Sequence, residues 1–270
     1  MKICVWKTGH EIADTVAEAV FEGLPHGADI RPTSEADRAG DYDLNIGYGI
    51  LRGMESVFRR SRNYIHLDRG YTNPGHYSGN YRVSRNGTQQ VGFWPDPVPH
   101  DVELKKWRGF DHTKPVLVCP PTEVVDAFFQ LGAWTEHWPD NRVIRHKGDT
   151  TPINFHDYNY VLTFNSGVGW QAIAAGIPCV SDSTYSMVGS FFKNIPLAEL
   201  SEKQYIDREK MFGCMKACDL TLQEIREGNL WPLMQKLLYM SVSTQENQSP
   251  AKFVNIQSLK EQNQKPMSDS

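Results

Sequence analysis

Short apolar runs in this chain alternate with segments of helical period, and small residues mark each handover. Lys2–Lys7 is an apolar run of strand length. Thr8-Gly9-His10 turns it into Glu11–Glu22, where Ile12, Val16, Ala19 and Val20 share one helical face. Gly23 is expected to stop that helix. Ala28–Arg31 and Tyr42–Ile46 read as strands, Gly47-Tyr48-Gly49 as a turn, Leu51–Arg60 as a helix and Tyr64–Leu67 as a strand. A second series runs through Val116–Cys119, the helix Val124–Trp138 capped by Thr122, and the strand Arg142–Arg145. It continues with the strand Tyr160–Phe164, the turn Asn165–Gly169, the helix Trp170–Ala175 closed by Gly176, and the strand Ile177–Ser181. Each helix carries the chain back to begin the next strand at the same edge, so the pattern demands parallel sheets and an α/β fold.

Between the two series the pattern breaks. Arg69–Pro99 is rich in Gly, Pro, Asn and Tyr and reads as a long loop, which in a compact protein is commonly functional. Lys105–Lys114 is charged and suits a linker. The expected division is residues 1–112, residues 113–240 with further helices over 202–240, and a Gln/Ser/Asn/Lys-rich tail, 241–270, expected to be disordered.

The net charge of −4 does not describe a bulk-basic nucleic-acid binder. No apolar run approaches the ~18 residues that span a bilayer, so no membrane association is expected. The N-terminal residues lack the pattern of a signal peptide, which makes the cytoplasm the expected location. The five cysteines are odd in number and scattered, and so form no disulfide framework. Cys214 and Cys218 stand four apart but lack two further metal ligands nearby.

The strongest local signal is the segment from Val161 to Val180. Its small turn residues Ser166, Gly167 and Gly169 permit close approach to the backbone, and the helix that follows begins with free N–H groups. That combination suits a diphosphate. Arg145 and Lys147 end the preceding strand, at the edge where ligands of parallel sheets bind, and add two cations. A tight βα turn with no ligand would use the same small residues, so the context of these cations carries the reading.

Three segments resemble the donor half of B-type glycosyltransferases, in particular compact phage-encoded DNA-modifying and polysaccharide-type members. They are Arg145-His146-Lys147, the turn and helix from Thr163 through Gln171 to Val180, and Leu220–Trp231. The resemblance implies two Rossmann-like parallel-sheet domains facing across a crevice. It implies a donor site of Arg145, Lys147, Thr163, Asn165, Ser166, Gly167, Gly169 and Gln171. It also implies a nucleotide-diphosphate sugar, such as a UDP-sugar, as co-substrate in place of a bound cofactor. Many B-type enzymes hold the ribose with a Glu where this chain has Gln171.

The same resemblance assigns the acceptor and the base to the N-terminal half. Asp68, at the end of its strand, is the first candidate for the base that takes the acceptor proton, and His10 the second. Asp68-Arg69-Gly70-Tyr71 and Tyr81-Arg82-Val83-Ser84 resemble phage-encoded relatives, which makes Arg69, Tyr71, Tyr81 and Arg82 the candidate acceptor contacts. The stretch from Arg52 to Arg85 holds seven Arg and only two acids, Glu55 and Asp68. Interleaved with aromatics, these arginines permit a DNA acceptor, such as a hydroxymethylated pyrimidine extruded from the duplex. A glycan recognised by a Tyr-rich loop fits the same residues. An epimerase-like enzyme and a non-catalytic nucleotide or glycan binder remain open; a dehydrogenase lacks its glycine fingerprint. No D-x-D lies on a suitable loop, since Asp41-Tyr42-Asp43 leads into a strand, so the expected mechanism uses no metal.

Overall fold

The fold is taken from a computed structural model that describes residues 1–240, other than 26, 76, 132, 133, 135–137 and 183. The tail expected from residue 241 onwards lies outside the described residues.

The elements follow the expected alternation. The first run is β1 (Ile3–Lys7), α1 (Glu11–Gly23), β2 (Ala28–Pro32), a 3-10 segment (Thr33–Asp41), β3 (Leu44–Tyr48), α2 (Met54–Arg60), β4 (Tyr64–Arg69) and β5 (Asn80–Arg85). The second is β6 (Val116–Cys119), α3 (Glu123–Phe129), β7 (Arg142–Ile144), β8 (Val161–Thr163), α4 (Val168–Ala174), β9 (Cys179–Ser181), α5 (Met187–Phe191) and α6 (Leu197–Ala217). The chain ends in β10 (Asp219–Thr221), α7 (Leu222–Arg226) and α8 (Leu230–Met240).

Two compact units result. Of the described residues, one comprises those in 1–101 and 210–240, and the other those in 102–209. The expected division at residue 112, with 113–240 as one domain, is therefore corrected. The reason is long-range: β10 pairs with β5, and Leu222, Ile225, Leu230, Leu233, Met234 and Leu237 complete the core formed by α1 and the first sheet. Gly23 shows how close that packing is. It is the last residue of α1, and a Cβ there would stand 2.0 Å from the Ile225 carbonyl oxygen.

The six-stranded sheet of the first unit has the order β10-β5-β4-β3-β1-β2. Its strands β2, β1, β3 and β4 are parallel. The four-stranded sheet of the second unit has the order β7-β6-β8-β9 and is parallel throughout. Each unit thus repeats one plan. Its first strand lies between its second and its third, and its fourth lies outside the third. The reversal of winding falls between β1 and β3 in one unit and between β6 and β8 in the other.

Two local expectations change, and one edge is closed in a way that the sequence did not announce. Residues 69–99 are not one irregular loop, because β5 pairs antiparallel with β4 and turns Tyr81 and Val83 into the core. Tyr81 and Val83 alternate with Asn80, Arg82 and Ser84, a strand period that the surrounding Gly, Pro and Asn outweighed in the reading of the sequence. The helix expected to reach Trp138 ends at Phe129, where Gln130 takes a left-handed conformation (φ 56°). The β9 edge is closed by a side chain: buried Gln204 of α6 accepts from the Cys179 N–H (3.0 Å) and donates to the Cys179 carbonyl (2.6 Å).

Candidate functional site

In the second unit the reversal between β6 and β8 places two turns side by side at the carboxyl edge, Cys119-Pro120-Pro121 and Thr163–Gly169. Ligands of open parallel sheets bind at such a position. Thr163 is buried, donates from its hydroxyl to the Cys119 carbonyl (3.0 Å) and accepts from the Ser166 N–H (3.1 Å). It ties the turn together and offers no hydroxyl outward. The Ser166 hydroxyl accepts from the Val168 N–H (3.3 Å). Asn165, Ser166 and Gly167 are half-buried at the turn. Among the described residues the Gly167 N–H has no partner.

The glycines act differently from the expectation that they open the backbone to a ligand. Gly167 has an ordinary right-handed φ of −56°. A Cβ at Gly169 would lie 3.0 Å from the Cys179 sulfur and 3.3 Å from the Thr163 methyl carbon. Gly169 therefore lets α4 pack against β8 and β9. Gln171 is exposed on α4.

Arg145 follows β7, as expected, but its guanidinium folds into its own loop. It donates to the Thr151 carbonyl and to the Asp149 carbonyl (2.8 Å), with the Asp149 carboxylate 3.8 Å away. Lys147 is exposed.

One carboxylate at this edge escaped the sequence reading. Asp182 directly follows β9, and its N–H donates to the Phe164 carbonyl (3.3 Å), joining the ends of β8 and β9. Its Oδ1 accepts from the Thr184 and Tyr185 N–H groups at 2.8 and 2.9 Å. Burial pushes its pKa up. The signal that singled out Asp68, an acid at the end of an apolar strand run, is equally present in Ile177-Pro-Cys-Val-Ser-Asp182.

In the first unit the corresponding edge carries Thr8-Gly9-His10 after β1, Tyr48-Gly49 after β3, and Asp68-Arg69 at the end of β4. The N-terminus of α1 is occupied by the helix's own acid, since Asp14 Oδ1 accepts from the Thr8 and Gly9 N–H groups (2.8 and 3.2 Å). Glu11 adds a second negative charge in the first turn. This turn therefore disfavours an anion. His10 stands at the N-cap without capping through its ring, and is half-buried.

Asp68 is engaged on both oxygens. Oδ2 pairs with Arg82 at 2.7 Å and Oδ1 accepts from the Arg69 N–H at 2.8 Å. Arg82 also donates to the Arg69 and Thr88 carbonyls. One strand, β3, separates β1 from β4, so His10 and Asp68 share an edge with roughly 10 Å between their strands.

The acceptor set is corrected in part. Tyr71 and Tyr81 are 5% and 0% exposed and belong to the interior. The Tyr71 hydroxyl accepts from the Gln90 N–H (2.9 Å), and Tyr81 packs in the core of the first sheet. Arg69 stays exposed.

The seven arginines do not form one surface. Because α2 returns the chain to start β4, Arg59, Arg60 and Arg62 lie at the amino edge of the sheet. There Asn63 donates to the Asp43 carbonyl. Arg85 ends β5 at that same edge and bonds Asn63 and the Leu237 carbonyl. Only Arg52, Arg69 and Arg82 stand at the edge of His10 and Asp68, roughly 15 Å away along β4.

All five cysteines are buried free thiols. No group of three or more potential metal ligands occurs among the described residues. No helix among them is long and apolar enough to cross a membrane. Comparison with models of protein families and with curated proteins finds no match for this chain.

Proposed function

We propose that the chain is a metal-independent glycosyltransferase of the B type, moving a sugar from a nucleotide-diphosphate donor on the second unit to a hydroxyl acceptor on the first. The observation that carries this reading is the repeated strand plan. The parallel strands of the two α/β units wind alike, and the reversal in the second falls at the Thr163–Gly169 turn. The different chemistry of the two edges adds support. The turn before α4 has no acid in the first helical turn and keeps the Gly167 N–H, whereas the turn before α1 is filled by Asp14 and flanked by Glu11. An anionic donor suits the former and a neutral acceptor the latter.

In this reading the acceptor oxygen bonds to the anomeric carbon as the bond from that carbon to the diphosphate oxygen breaks, and a base takes the acceptor proton. His10 has better support as that base than Asp68, whose carboxylate is held by Arg82. A glycan or other uncharged acceptor has better support than DNA, because four of the seven arginines stand at the far edge and two of the tyrosines are interior.

The test is to incubate the full chain with UDP-, GDP-, CDP- and ADP-sugars and to follow released nucleotide by chromatography. Mass spectrometry then searches oligosaccharides and DNA nucleosides for an added hexose or pentose. Transfer to an oligosaccharide is expected. A hexosylated nucleoside would return the acceptor to DNA. Nucleotide binding without turnover against either pool would support a non-catalytic binder instead.

A further inference from the structure

We infer that β7, an edge strand of the second unit's sheet, pairs antiparallel with the β7 of a second copy of this chain. The two four-stranded sheets then join across a two-fold axis at Val143.

The two edges of this sheet are treated differently. At β9 the edge backbone is closed by Gln204. At β7 nothing does so among the described residues. The Asn141 carbonyl accepts from the Val116 N–H, and the Arg145 N–H donates to the Val118 carbonyl, both at 2.9 Å. Bonding alternates along a parallel strand, so Asn141, Val143 and Arg145 face β6, while Arg142 and Ile144 turn their N–H and C=O groups outward. Those outward groups have no partner among the described residues. Such a row is a template for another strand.

The side chains agree. Strands of a parallel sheet are normally covered on both faces, and β6 and β8 are buried throughout. Val143 and Ile144 point to opposite faces of β7, yet are 42% and 41% exposed. Free edges are commonly guarded by proline or by charge. The edge strand β2 of the other sheet ends in Pro32 and carries Arg31 paired with Glu35. The arginines of the β7 segment give no such guard, because Arg142 donates back to the Pro139 carbonyl (2.8 Å) and Arg145 to the Asp149 carbonyl (2.8 Å).

The segment 140–146 is complementary to itself, which selects a second copy as the occupant. An antiparallel partner must set outward residues opposite outward residues. With the axis at Val143, Arg142 exchanges two backbone bonds with Ile144 of the second copy, and Ile144 does the same with its Arg142. The two Val143 residues then meet at about 4.5 Å between Cα atoms, and Asp140 stands opposite His146. Moving the axis to Arg142 places two arginines face to face. Moving it to Ile144 sets Arg142 opposite His146 and takes Asp140 from its partner. Like charges directly opposite disfavour both alternatives. Antiparallel pairing also reverses the strand direction, so the carboxyl edges of the two sheets, each with its Thr163–Gly169 turn, face opposite ways.

One short strand pair buries less than a standard interface, so association in the micromolar range is expected. Sedimentation velocity of the full chain, over a hundredfold range of concentration up to roughly 300 µM, is expected to show monomer giving way to dimer. Residue-resolved hydrogen exchange is expected to slow at least twofold at the Arg142 and Ile144 N–H groups as the dimer forms, and to stay unchanged at Val143 and Arg145. Ile144→Pro removes an outward N–H and none of the bonds to β6. Val143→Lys puts like charges at the axis on an exposed side chain. Each is expected to stay monomeric at every concentration, with melting curves showing that it is folded. Mixing Val143→Lys with Val143→Asp is expected to restore the dimer. A wild type that is monomeric throughout overturns the inference, as does a dimer that both variants keep. Protection of Arg142 and Ile144 in a monomer also overturns it, since a segment of the same chain then closes the edge.

Discussion

Gln204 offers the most direct test of how the second unit is held together. Its amide closes the free edge of β9, accepting from the Cys179 N–H and donating to the Cys179 carbonyl, with Gln204 0% and Cys179 1% exposed. Gln204→Leu keeps the volume but leaves one backbone donor and one acceptor in an interior that water does not reach. Each orphaned group costs about 1–3 kcal/mol, so the pair costs roughly 2–6 kcal/mol. For a unit near 100 residues, 1 kcal/mol lowers the melting midpoint by roughly 4–8 °C, so a fall of at least about 8 °C is expected. Gln204→Glu distinguishes the hydrogen bonds from packing. An ionised Glu still accepts from the N–H but cannot donate to the carbonyl, and it carries a buried charge. A protonated Glu can do both. Its folded pKa is therefore raised, so the destabilisation is absent below the unfolded value and fully present above the folded one. Thermal melts by circular dichroism from pH 4.5 to 8 should show Gln204→Glu approaching wild type as pH falls and Gln204→Leu remaining low throughout. A Gln204→Leu variant within 0.5 kcal/mol of wild type, or a Gln204→Glu variant with no pH dependence, would refute the assignment.

Other expectations follow from the same contacts. Gly169→Ala places a Cβ 3.0 Å from the Cys179 sulfur, an overpacking expected to cost about 1–3 kcal/mol in urea denaturation; unchanged stability would show that α4 shifts freely. Asp219 is buried, accepts from the Tyr71 and Thr72 N–H groups and the Thr72 hydroxyl, and has its pKa pushed up to about 6, chiefly by burial. A raised carboxyl lowers stability as pH climbs from the unfolded value near 4 to about 6. Wild type should therefore lose about 3 kcal/mol relative to Asp219→Asn over that window, and parallel pH profiles would contradict this. Asp68→Asn breaks a partly exposed ion pair with Arg82 and is expected to change stability by less than about 1 kcal/mol. If His10 is the base, transfer survives Asp68→Asn and falls roughly 10²–10⁴-fold in His10→Gln; the opposite ranking of the two rates would return the role to Asp68.

The βα alternation was legible because it is local. An apolar strand run, a small-residue turn and a helical face each declare themselves within about fifteen residues. The Thr122 cap was legible for the same reason, and its side chain does accept from the Val125 N–H. The alternation in β5 was outweighed by the Gly, Pro and Asn around it, and only the structure shows Arg82 bonded to Asp68 and the Arg69 carbonyl on β4 and Ser84 to the Gly87 carbonyl. A strand as short as Asp219–Thr221 has no period to detect.

By itself, the amino-acid sequence determined two parallel α/β runs and the strand-turn-helix at Thr163–Gln171, since those follow from chain-neighbour periodicity. Only the tertiary structure decided which residues close the first core, which edge each arginine occupies, and that Tyr71 and Tyr81 are interior. It alone paired Asp68 with Arg82 and brought the Tyr185 ring against Phe129 and Phe164. The clearest case is Asp219, which holds Tyr71 and Thr72 across separations of 148 and 147 residues. Contacts at such distances leave no mark on local composition, because the interactions that select them exist only once the sheet has formed.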